Sequence, residues 1–135
     1  MVTASEFKKS LAAQISSDEA AALRSGSGLC INDFNRSVCL RLLDSDCTDD
    51  APVSLADADL LRAELADYLN EYMQDKPEGH KWIILACLYL TFVEHLPMHP
   101  QHAAKWTEKD GRYYCPNMVP ESITCRFCMC EMAET

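Results

Sequence analysis

From Trp82 to Val93 the chain is apolar at every position but Thr91. A helix that is apolar on all sides belongs inside a protein, because no face of it gains from water. Twelve residues in helical form rise about 18 Å, well short of a hydrocarbon core of roughly 30 Å. The run therefore predicts a buried helix from His80 to about His95 at the centre of a bundle, not a membrane span. Pro97 and Pro100 would end it.

The elements around that helix are legible from their caps and periods. Thr3 and Glu6 form a capping-box pattern, with a hydroxyl at the N-cap and a carboxylate three residues later. They open a helix with Phe7, Leu11 and Ile15 on one face. Ser16-Ser-Asp-Glu19 starts a second helix, or the first continues to about Arg24. Ser25-Gly-Ser-Gly28 then stops it. Asn32 or Asp33 can cap the next helix, in which Phe34, Val38 and Leu42 face one way and Arg36 and Arg41 point elsewhere. Residues 44–50 and Pro52 read as a polar loop. Ser54 repeats the capping logic and opens an amphipathic helix to about Gln74, with Leu61, Leu65, Tyr68 and Tyr72 as its stripe. Lys76-Pro-Glu-Gly79 is a stop and turn. Strand signal is slight, with Arg112-Tyr-Tyr114 as one short candidate. The expected class is all-α, a bundle of four to five helices with a loop-rich, metal-stabilised C-terminal segment.

The length, 135 residues, suits one domain on a prior of roughly 150 residues per domain. We expect a single domain over 1–135, with a helical body at about 3–96 and a cysteine-rich segment at about 97–130. The net charge is −9, which opposes binding to a phosphate backbone and makes nucleic acid an unfavourable partner. No apolar stretch follows Lys8 and Lys9, so the N-terminus does not read as a secretory signal. Eight cysteines without such a signal point to a reducing compartment, the cytoplasm, where clustered thiols more often hold metal than form disulfides.

Four of those cysteines, Cys115, Cys125, Cys128 and Cys130, crowd one short stretch. Cys125-Arg-Phe-Cys128 has the spacing that lets one tight turn aim two thiolates at one ion, and Cys115, followed by Pro116, supplies a third. For the fourth position His99, Cys130, His95 and His102 compete. Cys128 and Cys130 as next-but-one neighbours would strain a mononuclear tetrahedral site, which favours His99 and leaves Cys130 as the substitute. Zinc is the expected ion and an iron–sulfur cluster the alternative, although the spacing matches no common cluster run. A closed site would be structural, since a loop-rich tail has little core of its own and metal binding would supply its folding free energy.

Other constellations have simpler explanations. Asp44, Asp46, Asp49 and Asp50 resemble a calcium loop, but Leu55 stands where the bidentate Glu is required, so a solvated loop is expected. Cys30, Cys39 and Cys87 fit as small core hydrophobes, and Cys47 as a loop thiol. Glu94-His95 suits an acid–base pair, yet a His drawn to a helix C-terminus explains it more economically. No nucleophile elbow, phosphate-binding glycine loop or zinc-protease motif occurs.

His99-Pro100, Gly111-Arg-Tyr-Tyr-Cys115-Pro116 and Cys125-Arg-Phe-Cys128 together resemble the C-terminus of an uncharacterised protein family of methanogenic archaea. It is known only as a domain of unknown function, number twenty-one fifteen. The resemblance implies an archaeal protein with a small helical body and a His-Pro, Tyr-Cys-Pro, Cys-x-x-Cys tail, and it implies no activity. The expected function is that of a non-enzymatic metal-binding protein whose C-terminal segment meets a protein partner. Its rival is a redox protein or metalloenzyme using an open metal position or the Cys128-Met-Cys130 dithiol.

Overall fold

The computed structural model describes residues 2–95, 107–109, 112–114 and 131–132. A first strand β1 (Val2–Thr3) leads into helices α1 (Ala4–Ala12), α2 (Ser17–Ser25) and α3 (Asp33–Asp44). Strand β2 (Pro52–Val53) precedes the long helix α4 (Leu55–Tyr72). A 3-10 turn at Pro77–Gly79 then opens α5 (His80–Tyr89), which continues as a π-helical turn at Leu90–Glu94. Three further strands follow, β3 (Thr107–Lys109), β4 (Arg112–Tyr114) and β5 (Glu131–Met132). The described chain is thus mostly helical, as the sequence implies, with two small antiparallel sheets added.

The helix starts obey side-chain chemistry. Thr3 Oγ1 accepts the Glu6 amide at 3.1 Å while the Glu6 carboxylate accepts the Thr3 amide at 3.0 Å, and Ser16 and Glu19 repeat the exchange at 3.1 and 2.9 Å. The second box starts a separate α2, which decides between the two readings of residues 16–24. Asn32, rather than Asp33, caps α3 by accepting the Asn35 amide at 2.7 Å. Gly26 ends α2 at φ 76°, a conformation that glycine adopts without a Cβ penalty. Arg36 of α3 reaches back to the same helix end. Its guanidinium donates to the Leu23 and Arg24 carbonyls at 2.7 and 3.1 Å, satisfying acceptors that the helix itself leaves open.

The core forms around α5. Trp82, Leu85, Ala86, Cys87, Leu88 and Tyr89 are all buried, as are Leu90 and Phe92 beyond them. Against them pack Phe7 and Leu11 of α1, Val38, Cys39 and Leu42 of α3, and Ala58, Leu61 and Leu65 of α4. The Phe7 and Phe92 rings meet edge to face at 5.7 Å. The predicted stripe of α4 needs correction. Its buried residues are Ala58, Leu61, Leu65 and Leu69, whereas Tyr68 and Tyr72 face solvent.

The small sheet at the start of the chain escaped the sequence analysis because two-residue strands carry no alternation to read. Val2 pairs with Val53 and Thr3 with Pro52. Gly79 marks another close approach. A Cβ there would lie 3.0 Å from the Cys30 carbonyl oxygen and 3.1 Å from its Sγ.

Candidate functional site

The central helix ends where the cysteine-rich segment begins, and that exit is built from three polar contacts. Arg41 on α3 grips the Glu94 carboxylate through Nε at 3.0 Å and Nη2 at 3.0 Å. The Tyr89 hydroxyl shares a 2.8 Å hydrogen bond with Ser45, whose hydroxyl lies 2.6 Å from the Arg41 carbonyl. Burial pushes the Tyr89 hydroxyl above its ordinary pKa. His95 then takes φ 56° and closes the π turn by donating its amide to Leu90. The helix therefore stops at His95 by its own left-handed cap, two residues before Pro97. The Arg41 contact thus pins the end of the helix at Glu94.

Within the π turn, Thr91 is buried and its Oγ1 has no hydrogen-bond partner among the described residues. A π turn widens the helix and shifts the carbonyl that a threonine hydroxyl would otherwise reach.

Beyond the exit, β3, β4 and β5 form one antiparallel sheet in that order. The predicted strand Arg112–Tyr114 is its central member. Thr107 pairs with Tyr114 and Lys109 with Arg112, while on the other side Tyr113 pairs with Met132 and Tyr114 with Glu131. The predicted ligands Cys115, Cys125, Cys128 and His99, and the substitute Cys130, lie outside the described residues, as does His102. By sequence, all four of those cysteines fall in the interval 115–130, which starts directly after Tyr114 and ends directly before Glu131. Since these two flanking residues are paired, the interval begins and ends at a single rung of the sheet.

Cys39 is fully buried, with Sγ 3.9 Å from the Trp82 carbonyl, and burial raises its pKa to about 12. Cys87 is buried, whereas Cys30 and Cys47 are partly exposed. Among the described residues, no group of three or more His, Cys, Asp or Glu side chains gathers to hold a metal ion. The aspartates of residues 44–50 serve the fold individually. Asp44 forms a two-pronged ion pair with Arg24 at 2.7 Å, and Asp49 accepts the Ala51 amide at 2.8 Å.

One feature of α4 went unseen in the sequence. Among the described residues, the large apolar side chains that stand exposed are Leu55, Leu60, Tyr68 and Tyr72, at 45%, 54%, 55% and 65%, and all belong to this helix. The rings of Tyr68 and Tyr72 lean together at 4.9 Å. Their i, i+4 spacing was a signal, but it was absorbed into the buried stripe.

Among the described residues, no helix is long and apolar enough to cross a membrane. What they define is a small helix-rich protein with a short sheet bracketing a cysteine-rich interval. The chain belongs to the family described as "Uncharacterized protein conserved in archaea (DUF2115)", which it matches over residues 39–133. That span runs from α3 through the sheet. Neither the curated proteins nor the solved structures supply a match.

Proposed function

We propose that this is a small cytoplasmic metal-binding protein in which one zinc ion organises the C-terminal segment, with Cys115, Cys125 and Cys128 as ligands. The fourth ligand is His99 or, in its place, Cys130. The observation that carries the reading is the rung between Tyr114 and Glu131. A loop whose ends are joined needs little further closure entropy to bring its cysteines together. The same rung supports Cys130, because Cys115 and Cys130 are the covalent neighbours of the paired residues.

The strand lengths support the metal reading. Strands of 3, 3 and 2 residues form too few ladder bonds to stand without a covering core or a clip. Ligand binding would supply that free energy, so the metal is structural and the reaction chemistry of an enzyme is not required. The segment it shapes would present a surface to a protein partner, as part of one domain with the helical body.

Elemental analysis with a visible spectrum of the purified protein tests the occupant, since zinc is colourless and an iron–sulfur cluster is not. The expected result is one zinc per chain. Cys→Ser changes at 115, 125 and 128 should each lower both metal content and melting temperature, and comparison of His99→Ala with Cys130→Ser identifies the fourth ligand. A stripped, reduced sample that melts like the native one would overturn the structural role.

A further inference from the structure

We propose that the exposed flank of α4 is a docking surface for a basic amphipathic helix of a partner protein. The inference rests on the residues of α4 and not on the metal reading. Leu60, Glu64, Tyr68 and Tyr72 follow one another at i+4, so they form a single ridge inclined along the helix. Beside it, displaced by one position toward solvent, runs a second ridge of Asp59, Ala63, Asp67 and Glu71, all exposed. The helix thus presents Leu60, Tyr68 and Tyr72 as exposed apolar anchors on a ridge that Glu64 interrupts, bordered on its outer side by carboxylates. Among the described residues, none of the Lys or Arg ion pairs involves Asp59, Asp67 or Glu71.

Charge complementarity selects the occupant. An amphipathic helix lays i, i+3, i+4 anchors against an apolar row, and its flanking residues must suit what borders that row. Here the border is acidic, so the fitting helix carries Lys or Arg beside its apolar stripe. A second copy packed by the same flank would set Asp59, Asp67 and Glu71 against their own equivalents, an unfavourable like-charge contact. An anionic lipid surface meets the same repulsion. Tyrosines are suited to anchor such a contact, because they offer large rigid area with few rotatable bonds.

The probe is a fluorescent synthetic peptide of about 18 residues, roughly five helical turns, built from Leu and Lys with the leucines on one face. Its controls are a scrambled isomer that destroys the stripe and a Glu-for-Lys version. Against the full chain, anisotropy should show saturable binding of the amphipathic basic peptide, about tenfold weaker binding of the scramble and none of the acidic peptide. The Tyr68→Ala/Tyr72→Ala and Asp67→Lys/Glu71→Lys variants, which alter exposed residues only and should keep the wild-type melting temperature, should each weaken binding by about tenfold or more. Equal binding of the scramble, or variants that bind like wild type, would overturn the proposal. So would absence of binding, or sedimentation showing that the wild type self-associates through this flank and the tyrosine variant does not.

Discussion

Cys39 shows how far a single residue can be read before its neighbours are known. Its place beside Val38 in an apolar helical stretch marks it as a small core hydrophobe, and it is fully buried. Its partner could not be read, because the Trp82 carbonyl that its thiol faces lies in another helix. Burial raises the thiol from an ordinary value of 9.0 to about 12, so between these limits the unfolded chain gives up a proton that the native chain keeps. Fewer bound protons in the unfolded state mean that stability falls as pH rises, by at most about 1.4 kcal/mol per pH unit for one such group. Urea unfolding followed from pH 8 upward should show this decline, and Cys39→Val should make it shallower. Parallel slopes for the two proteins would contradict the assignment. Cys30 illustrates the opposite limit, since its tight contact with Gly79 has no trace in the local sequence.

Among the elements, helix starts were the most legible and covered arcs the least. A hydroxyl with a carboxylate three residues on is a complete local device, and both capping boxes form as the pattern implies. The stripe of α4 depends on what lies beside it. Periodicity assigns Tyr68 and Tyr72 an angle close to that of Leu61 and Leu65, but only neighbouring helices decide how far around and along α4 the cover extends, and the last buried residue is Leu69. The π turn was equally hidden, because Leu90-Thr-Phe-Val-Glu94 is compatible with an ordinary helix. It leaves the Thr91 hydroxyl buried without a partner among the described residues, which costs the native state the desolvation of that oxygen. Replacing the hydroxyl by a methyl group of similar shape removes that cost. Thr91→Val should therefore stabilise the protein by about 1 kcal/mol, read as a higher melting temperature. A lower one would mean that the hydroxyl has an unrecognised role in the turn.

Carboxylates hold the molecule together, Glu6 at a local helix cap and Asp44 and Glu19 between distant segments. Hydrogen bonding to Thr3 lowers the pKa of Glu6, Lys81 lowers that of Glu19, and Arg24 lowers that of Asp44. Each lowered value means a contribution present above the unfolded pKa and lost as pH falls through the folded one. Thermal melts should therefore show a steady loss of stability below the ordinary carboxyl values of 4.5 and 3.8. Glu19→Gln should lower the neutral-pH melting temperature and soften the acid loss. An unchanged acid profile in that variant would refute the role given to the Glu19–Lys81 contact, which joins α2 to α5 at 2.8 Å. At this scale the central apolar helix was legible because its composition alone demands enclosure. The candidate metal ligands could be proposed from spacing, whereas the rung that brackets the four cysteines joins residues too far apart for any local pattern to reveal.

The first helix is secured by late parts of the chain: Val2 and Thr3 pair with Val53 and Pro52, and Phe7 rests against Phe92. During synthesis this helix leaves the ribosome well before the segments that cover it. The part of its oily side that meets Phe92 must then wait, uncovered, until nearly the entire helical body has been made.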